Sequence, residues 1–91
     1  MKTIFKYPIQ LADTPTVIAL PKDSVVRHVG DQGAIGAVFL WVEHDDPPQV
    51  DVPRAFVVRG TGHKFDPVGR EEFIGTVMAP PFVWHVYEVE T

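Results

Sequence analysis

Apolar and polar positions in this chain come in short pieces ended by proline or glycine, and no piece keeps a 3.6-residue period over ten positions. Short pieces rich in Val, Ile, Phe and Trp predict strands. Thr3 to Tyr7 reads as a first strand stopping at Pro8. Thr16 to Leu20, after the turn signal Ala12-Asp13-Thr14-Pro15, reads as a second and stops at Pro21. Asp23-Ser24 opens a third, Val25 to Val29, in which Val25, Arg27 and Val29 alternate with Val26 and His28. Gly30-Asp31-Gln32-Gly33 predicts a hairpin turn into a fourth strand, Ala34 to Glu43. Its run Val38-Phe39-Leu40-Trp41-Val42 is apolar on both faces, as in a central or doubly covered strand.

The segment His44 to Pro53 carries three prolines and three aspartates and reads as an exposed loop. Arg54 to Arg59 is a fifth strand, Phe65 to Glu72 is loop or one helical turn at most, and Phe73 to Met78 is a short strand. The closing strand, Phe82 to Glu88, is the strongest β signal. By period 2 it places Phe82, Trp84, Val86 and Glu88 on one face and Val83, His85, Tyr87 and Val89 on the other. The expected fold is a single all-β domain over residues 1–91, a small β-barrel or a compact sandwich of about six short strands.

Composition limits what such a domain can do. Ninety-one residues bury only roughly 60% of the unfolded surface, and without cysteine no disulfide can compensate. Apolar residues at 45% supply a core all the same, and self-association would extend it. The net charge is −4 and the eight Lys and Arg are scattered, which argues against polymeric nucleic acid and anionic membranes as partners. A single phosphorylated small molecule needs only two or three local cations. The start of the chain lacks an apolar signal region, and no stretch reaches the ~20 apolar residues of a membrane span. A cytosolic protein is expected.

Enzymatic chemistry finds little purchase. The histidines at 28, 44, 63 and 85 show no ligand spacing, so no metal or other cofactor is implied. Ser24 lies in no G-x-S-x-G elbow, and the pairs Asp45-Asp46 and Glu71-Glu72 read as solvated surface. The segment Arg59-Gly60-Thr61-Gly62-His63-Lys64 is more suggestive. Its glycines admit close backbone approach, its amides could form an anion nest, and Thr61 offers a hydroxyl while Arg59, His63 and Lys64 offer cations or donors around it. It also reads simply as a tight turn at a strand end. Trp84, His85 and Tyr7 are rings that could stack on a base or serve the core.

Three stretches taken together carry a resemblance: residues 1–8, Met-Lys-Thr-Ile-Phe-Lys-Tyr-Pro; residues 54–63, Arg54-Ala55-Phe56-Val57-Val58-Arg59-Gly60-Thr61-Gly62-His63; and Phe73-Ile74-Gly75-Thr76-Val77 with Val83-Trp84-His85-Val86-Tyr87-Glu88. The chain resembles a family of small bacteriophage and prophage proteins of unknown function, and through it the minimal β-barrel sponges that disarm CBASS, a cyclic-nucleotide defence of bacteria. The resemblance implies sequestration, without cleavage, of a cyclic dinucleotide such as 3′,3′-cyclic GMP-AMP in the host bacterial cytoplasm, by a homo-oligomer. Chemistry then suggests Trp84, Tyr7 or His85 for base stacking, and Arg59, Thr61, Gly62 and His63 for phosphate and ribose. The alternative is a phage protein–protein interaction module that inhibits a host factor or takes part in assembly.

Overall fold

The computed structural model of the chain describes residues 1–91 except Asp13, Ala34, Ile35, Val68 and Thr91. Seven strands form two antiparallel sheets: β1 (Lys2–Ile9), β2 (Thr16–Pro21), β3 (Val25–Gly30), β4 (Val38–Asp45), β5 (Asp51–Gly60), β6 (Glu71–Ala79) and β7 (Phe82–Val89). One sheet has the order β1-β4-β3 and the other β2-β5-β7-β6. The two double-sided apolar runs thus become β4 and β7, which with β5 are the interior strands of the sheets. The all-β architecture expected from the pattern is present, as a sandwich. It is not a barrel, because the sheets share no hydrogen-bonded strand pair among the described residues.

Prolines explain where the observed strands outrun the expected ones. β1 continues through Pro8 because it lies at a sheet edge, where a missing N–H costs no ladder bond. β5 starts within the segment read as loop, and its Pro53 lies beyond the end of β7, whose pairing with β5 reaches only Ala55. β4 begins at Val38 rather than Ala34; Ala34 itself lies outside the described residues. Among its described residues the expected stretch Phe65 to Glu72 contains no helix, and its last two residues open β6.

The core lies between the sheets. Val38, Leu40 and Val42 of β4 meet Phe56 and Val58 of β5 and Val86 of β7, with Leu20 and Ile9 beside them. Val86 settles the orientation of β7: Trp84, Val86 and Glu88 face inward, while His85, Tyr87 and Val89 face outward.

Where β6 crosses β3 the backbones come very close. A Cβ at Gly75 would sit 2.8 Å from Cγ2 of Val29, a short, stiff side chain that is itself buried. Gly75→Ala should therefore cost roughly 1–3 kcal/mol by overpacking. Thermal melts check this, and Val29→Ala in the same chain should restore part of the loss.

Strand directions give the sandwich two unlike ends. At one end the chain turns through 22–24 and 46–50, and Arg54 closes the core there. Its guanidinium donates twice to the Glu88 carboxylate at 2.7 Å and once to the carbonyl of Ser24 at 2.6 Å. At the other end Leu11, Asp31, Gly36, His63 and Pro80, each from a connection, line clefts that share Trp84. Residues 61–67 then run back as a strap over the outer face of the second sheet, because β5 finishes and β6 begins at opposite ends.

Candidate ligand site

The inward positions of β5 and β7 pair Phe56 with Glu88, Val58 with Val86, and Gly60 with Trp84. At the last pair one partner has no side chain, and the vacated space holds rings. A Cβ on Gly60 would lie 2.6 Å from Nδ1 of His63 and 3.1 Å from Cζ3 of Trp84. His63 meets the indole edge-on at 6.3 Å, and Phe82 stacks on it at 5.3 Å and 25°. Trp84 packs on the core at one edge and remains half-buried.

Trp84 also forms a wall common to two clefts. The first, about 390 Å³, is lined by Leu11, Gly60, His63, Lys64, Phe65 and Asp66 among others. It runs along β5 from Val57 to Gly60, a stretch past Phe56 where β2 no longer pairs with β5. Every other residue there turns its N–H and C=O away from β7. The second cleft, about 330 Å³, is lined by Leu11, Asp31, Ala79, Pro80, Pro81 and Phe82 besides Trp84. Phe82 and Asp31 were not among the expected site residues, whereas Lys64 was read as a donor beside the glycine turn. Phe82 was visible as the first inward ring of β7, but the stacking on Trp84 depends on the turn at 80–81.

The expected residues divide into three groups. Trp84 and His63 come together at the open end, as described. The turn Gly60-Thr61-Gly62-His63 lies beside them, with Gly62 at φ 84°. Two of its amides are already spent: Thr61 N–H donates to the carbonyl of Val83 and His63 N–H to that of Gly60, both at 3.1 Å. The loop is thus a reverse turn tied to β7, and an anion nest there would have to compete with those carbonyls.

Arg59 and His85 lie on the outer face of the second sheet. His85 is held between two hydroxyls, Oγ1 of Thr61 at 2.7 Å and Oγ1 of Thr76 at 3.1 Å, which fastens the start of the strap to β6 and β7. Arg59 is buried beneath the strap, where its guanidinium donates to both oxygens of Glu71 at 2.5 and 2.7 Å. Phe65 covers it at 3.8 Å and Tyr87 flanks it at 5.0 Å. Hydrogen bonding to Glu71 raises its pKa above the ordinary value. Its charge is thus already met by Glu71, although Arg59 also lines the first cleft.

Tyr7 lines neither cleft. It faces the interior from β1 and points its hydroxyl at Nε2 of His44, 3.3 Å away, while Nδ1 of that buried ring bonds the carbonyl of Asp45 at 3.0 Å. Burial raises the Tyr7 pKa, and the charge of Asp51 raises it further.

A third cleft, about 480 Å³, opens beside Arg54, Arg70, Glu71, Glu72, Glu88 and Glu90. Its arginines are paired with Glu88 and Glu90, so carboxylates predominate and an anion would be repelled. Among the described residues no three His, Asp or Glu side chains converge as a metal site. None of the described residues form a helix long and apolar enough to cross a membrane.

Residues 1–91 match a family described as a domain of unknown function, DUF7352. The chain belongs to the DUF7352 family. Searches of curated proteins and of solved structures found no match to this DUF7352 domain. Its functional reading therefore rests on the site itself and on the resemblance drawn from the sequence.

Proposed function

We propose that this domain binds a cyclic dinucleotide and holds it without cleavage, as the phage sponges it resembles do, in the cytoplasm of the host bacterium. The observation that carries the reading is the position of Trp84, half-buried at the open end and shared by two clefts. One cleft is apolar and aromatic, which suits a base stacked on Phe82 and Trp84. The other carries His63 and Lys64, neither of which makes an ion pair among the described residues, and these suit phosphate. The indole would then sit between the base and the backbone of the ligand.

The test uses purified protein and a panel of cyclic di- and trinucleotides, 3′,3′-cyclic GMP-AMP included. The expected result is a thermal upshift with at least one ligand, followed by its intact recovery after heat denaturation. Absence of any shift across the panel sinks the reading, and recovery of cleaved nucleotide would make the protein a phosphodiesterase.

A second reading, a protein-binding module or self-associating domain, is favoured by the edge strand β6. Phe73 is 55% and Met78 68% exposed on its outer face, and Phe65 of the strap is 50% exposed beside them. An apolar stretch along an open edge suits strand addition or hot-spot packing. Sedimentation of the purified chain separates a homo-oligomer from a monomer that captures a host protein.

A further inference from the structure

The apolar cleft beside Trp84 contains one ionisable group. Asp31 is half-buried at its rim, and the other named linings are Leu11, glycines, Ala79, Pro80, Pro81 and the two rings. One carboxylate oxygen, Oδ1, receives a long hydrogen bond of 3.4 Å from the N–H of Gly33, an Asx-type turn. Oδ2 receives none from the described residues. A carboxylate is an acceptor only, so it selects among flat, stackable groups by their donors. Guanine presents two neighbouring donors, N1–H and the N2 amino group, which fit two carboxylate oxygens side by side. Adenine offers one donor next to the N1 acceptor, and that lone pair would face the carboxylate. Uracil and thymine present carbonyl oxygens on both sides of a single N–H.

We propose that the cleft formed by Phe82 and Trp84 is a guanine subsite and that Asp31 is its specificity residue. The inference rests on the nucleotide-binding reading above and refines it. It also accounts for a carboxylate in a site meant for a phosphorylated ligand. Asp31 lines only the base cleft, while His63 and Lys64 line the other together with Asp66, so the indole separates Asp31 from those two donors.

The experiment is calorimetric titration of the full chain with cyclic di-GMP, cyclic di-AMP and cyclic di-IMP, the last lacking the N2 amino group. Cyclic di-GMP should bind roughly tenfold to a hundredfold tighter than cyclic di-AMP, with cyclic di-IMP between them, as expected for one well-formed two-donor contact. Asp31→Asn keeps the turn-capping oxygen and should lose most of that preference with an unchanged melting temperature. Asp31→Ser also keeps a cap, removes the second oxygen, and should behave alike. Tight binding of cyclic di-AMP with no guanine preference, or a preference that survives both variants, overturns the guanine assignment while leaving nucleotide binding standing. Binding of none of the three overturns the guanine assignment, and overturns nucleotide binding as well when the wider cyclic di- and trinucleotide panel also gives no shift; binding of agmatine alone would mark the cleft as a guanidinium site instead.

Discussion

Trp84→Ala should leave a folded seven-stranded domain that no longer binds nucleotide. Base stacking on an aromatic side chain contributes about 1–3 kcal/mol, so loss of the indole predicts a fall in affinity from several-fold to above a hundredfold. The fall belongs near the upper end, because the same ring walls both clefts and its removal merges them. The fold should survive. Full burial of a Trp makes truncation cost about 3–5 kcal/mol, but this ring is half-buried at an end and leaves the centre of the core intact. A loss of roughly 1–3 kcal/mol is therefore expected, within a total stability of about 5–15 kcal/mol. Circular dichroism and a melt establish folding, and calorimetry reads affinity. Trp84→Phe keeps a stacking face and should retain most of the binding. A folded Trp84→Ala protein with undiminished affinity would move the site away from this end.

Strand pattern was readable because burial follows period 2 so directly. β4 alternates buried and half-buried residues along its whole length, and β7 has the neighbours on both sides that its two apolar faces demand. The choice of sandwich over barrel was not readable. It depends on β3 and β6 crossing at Gly75 by van der Waals contact instead of hydrogen bonding, and no local pattern records that. The candidate site was half readable. Trp84 and His63 stood out because an indole and an imidazole near a glycine-rich strand end are unusual, but the connections that bring Asp31 and Phe82 to the same ring are non-local. Arg59 illustrates the opposite limit. Beside two glycines it reads as a phosphate ligand and it does line the first cleft, yet its outward position on β5 carries it under a strap where Glu71 meets its charge, and only the topology fixes that path.

Arg59→Ala should therefore act on stability, with any effect on ligand affinity following from unfolding. Both members of the pair are nearly enclosed, with side-chain exposures of 7% for Arg59 and 11% for Glu71. Removing one partner of a buried pair costs about 3–5 kcal/mol, and here it takes from the Glu71 carboxylate the guanidinium that donates to both of its oxygens. Here the covering layer is a single thickness of Phe65 and Tyr87, so water can reach a relaxed Glu71 and the lower end of that range applies. Loss of the guanidinium also removes the surface on which Phe65 rests, so the strap should loosen with it. Hydrogen exchange should speed up first at residues 61–67 and then across the outer face, where Ala55, Val57 and Val89 form a small second cluster. The double variant Arg59→Met, Glu71→Met provides the control, because replacing both charges with apolar chains of similar length is often neutral or stabilising. It should recover most of the lost stability and still bind nucleotide. A double variant that folds but loses the ligand would return Arg59 to the binding site and remove the structural account given for it.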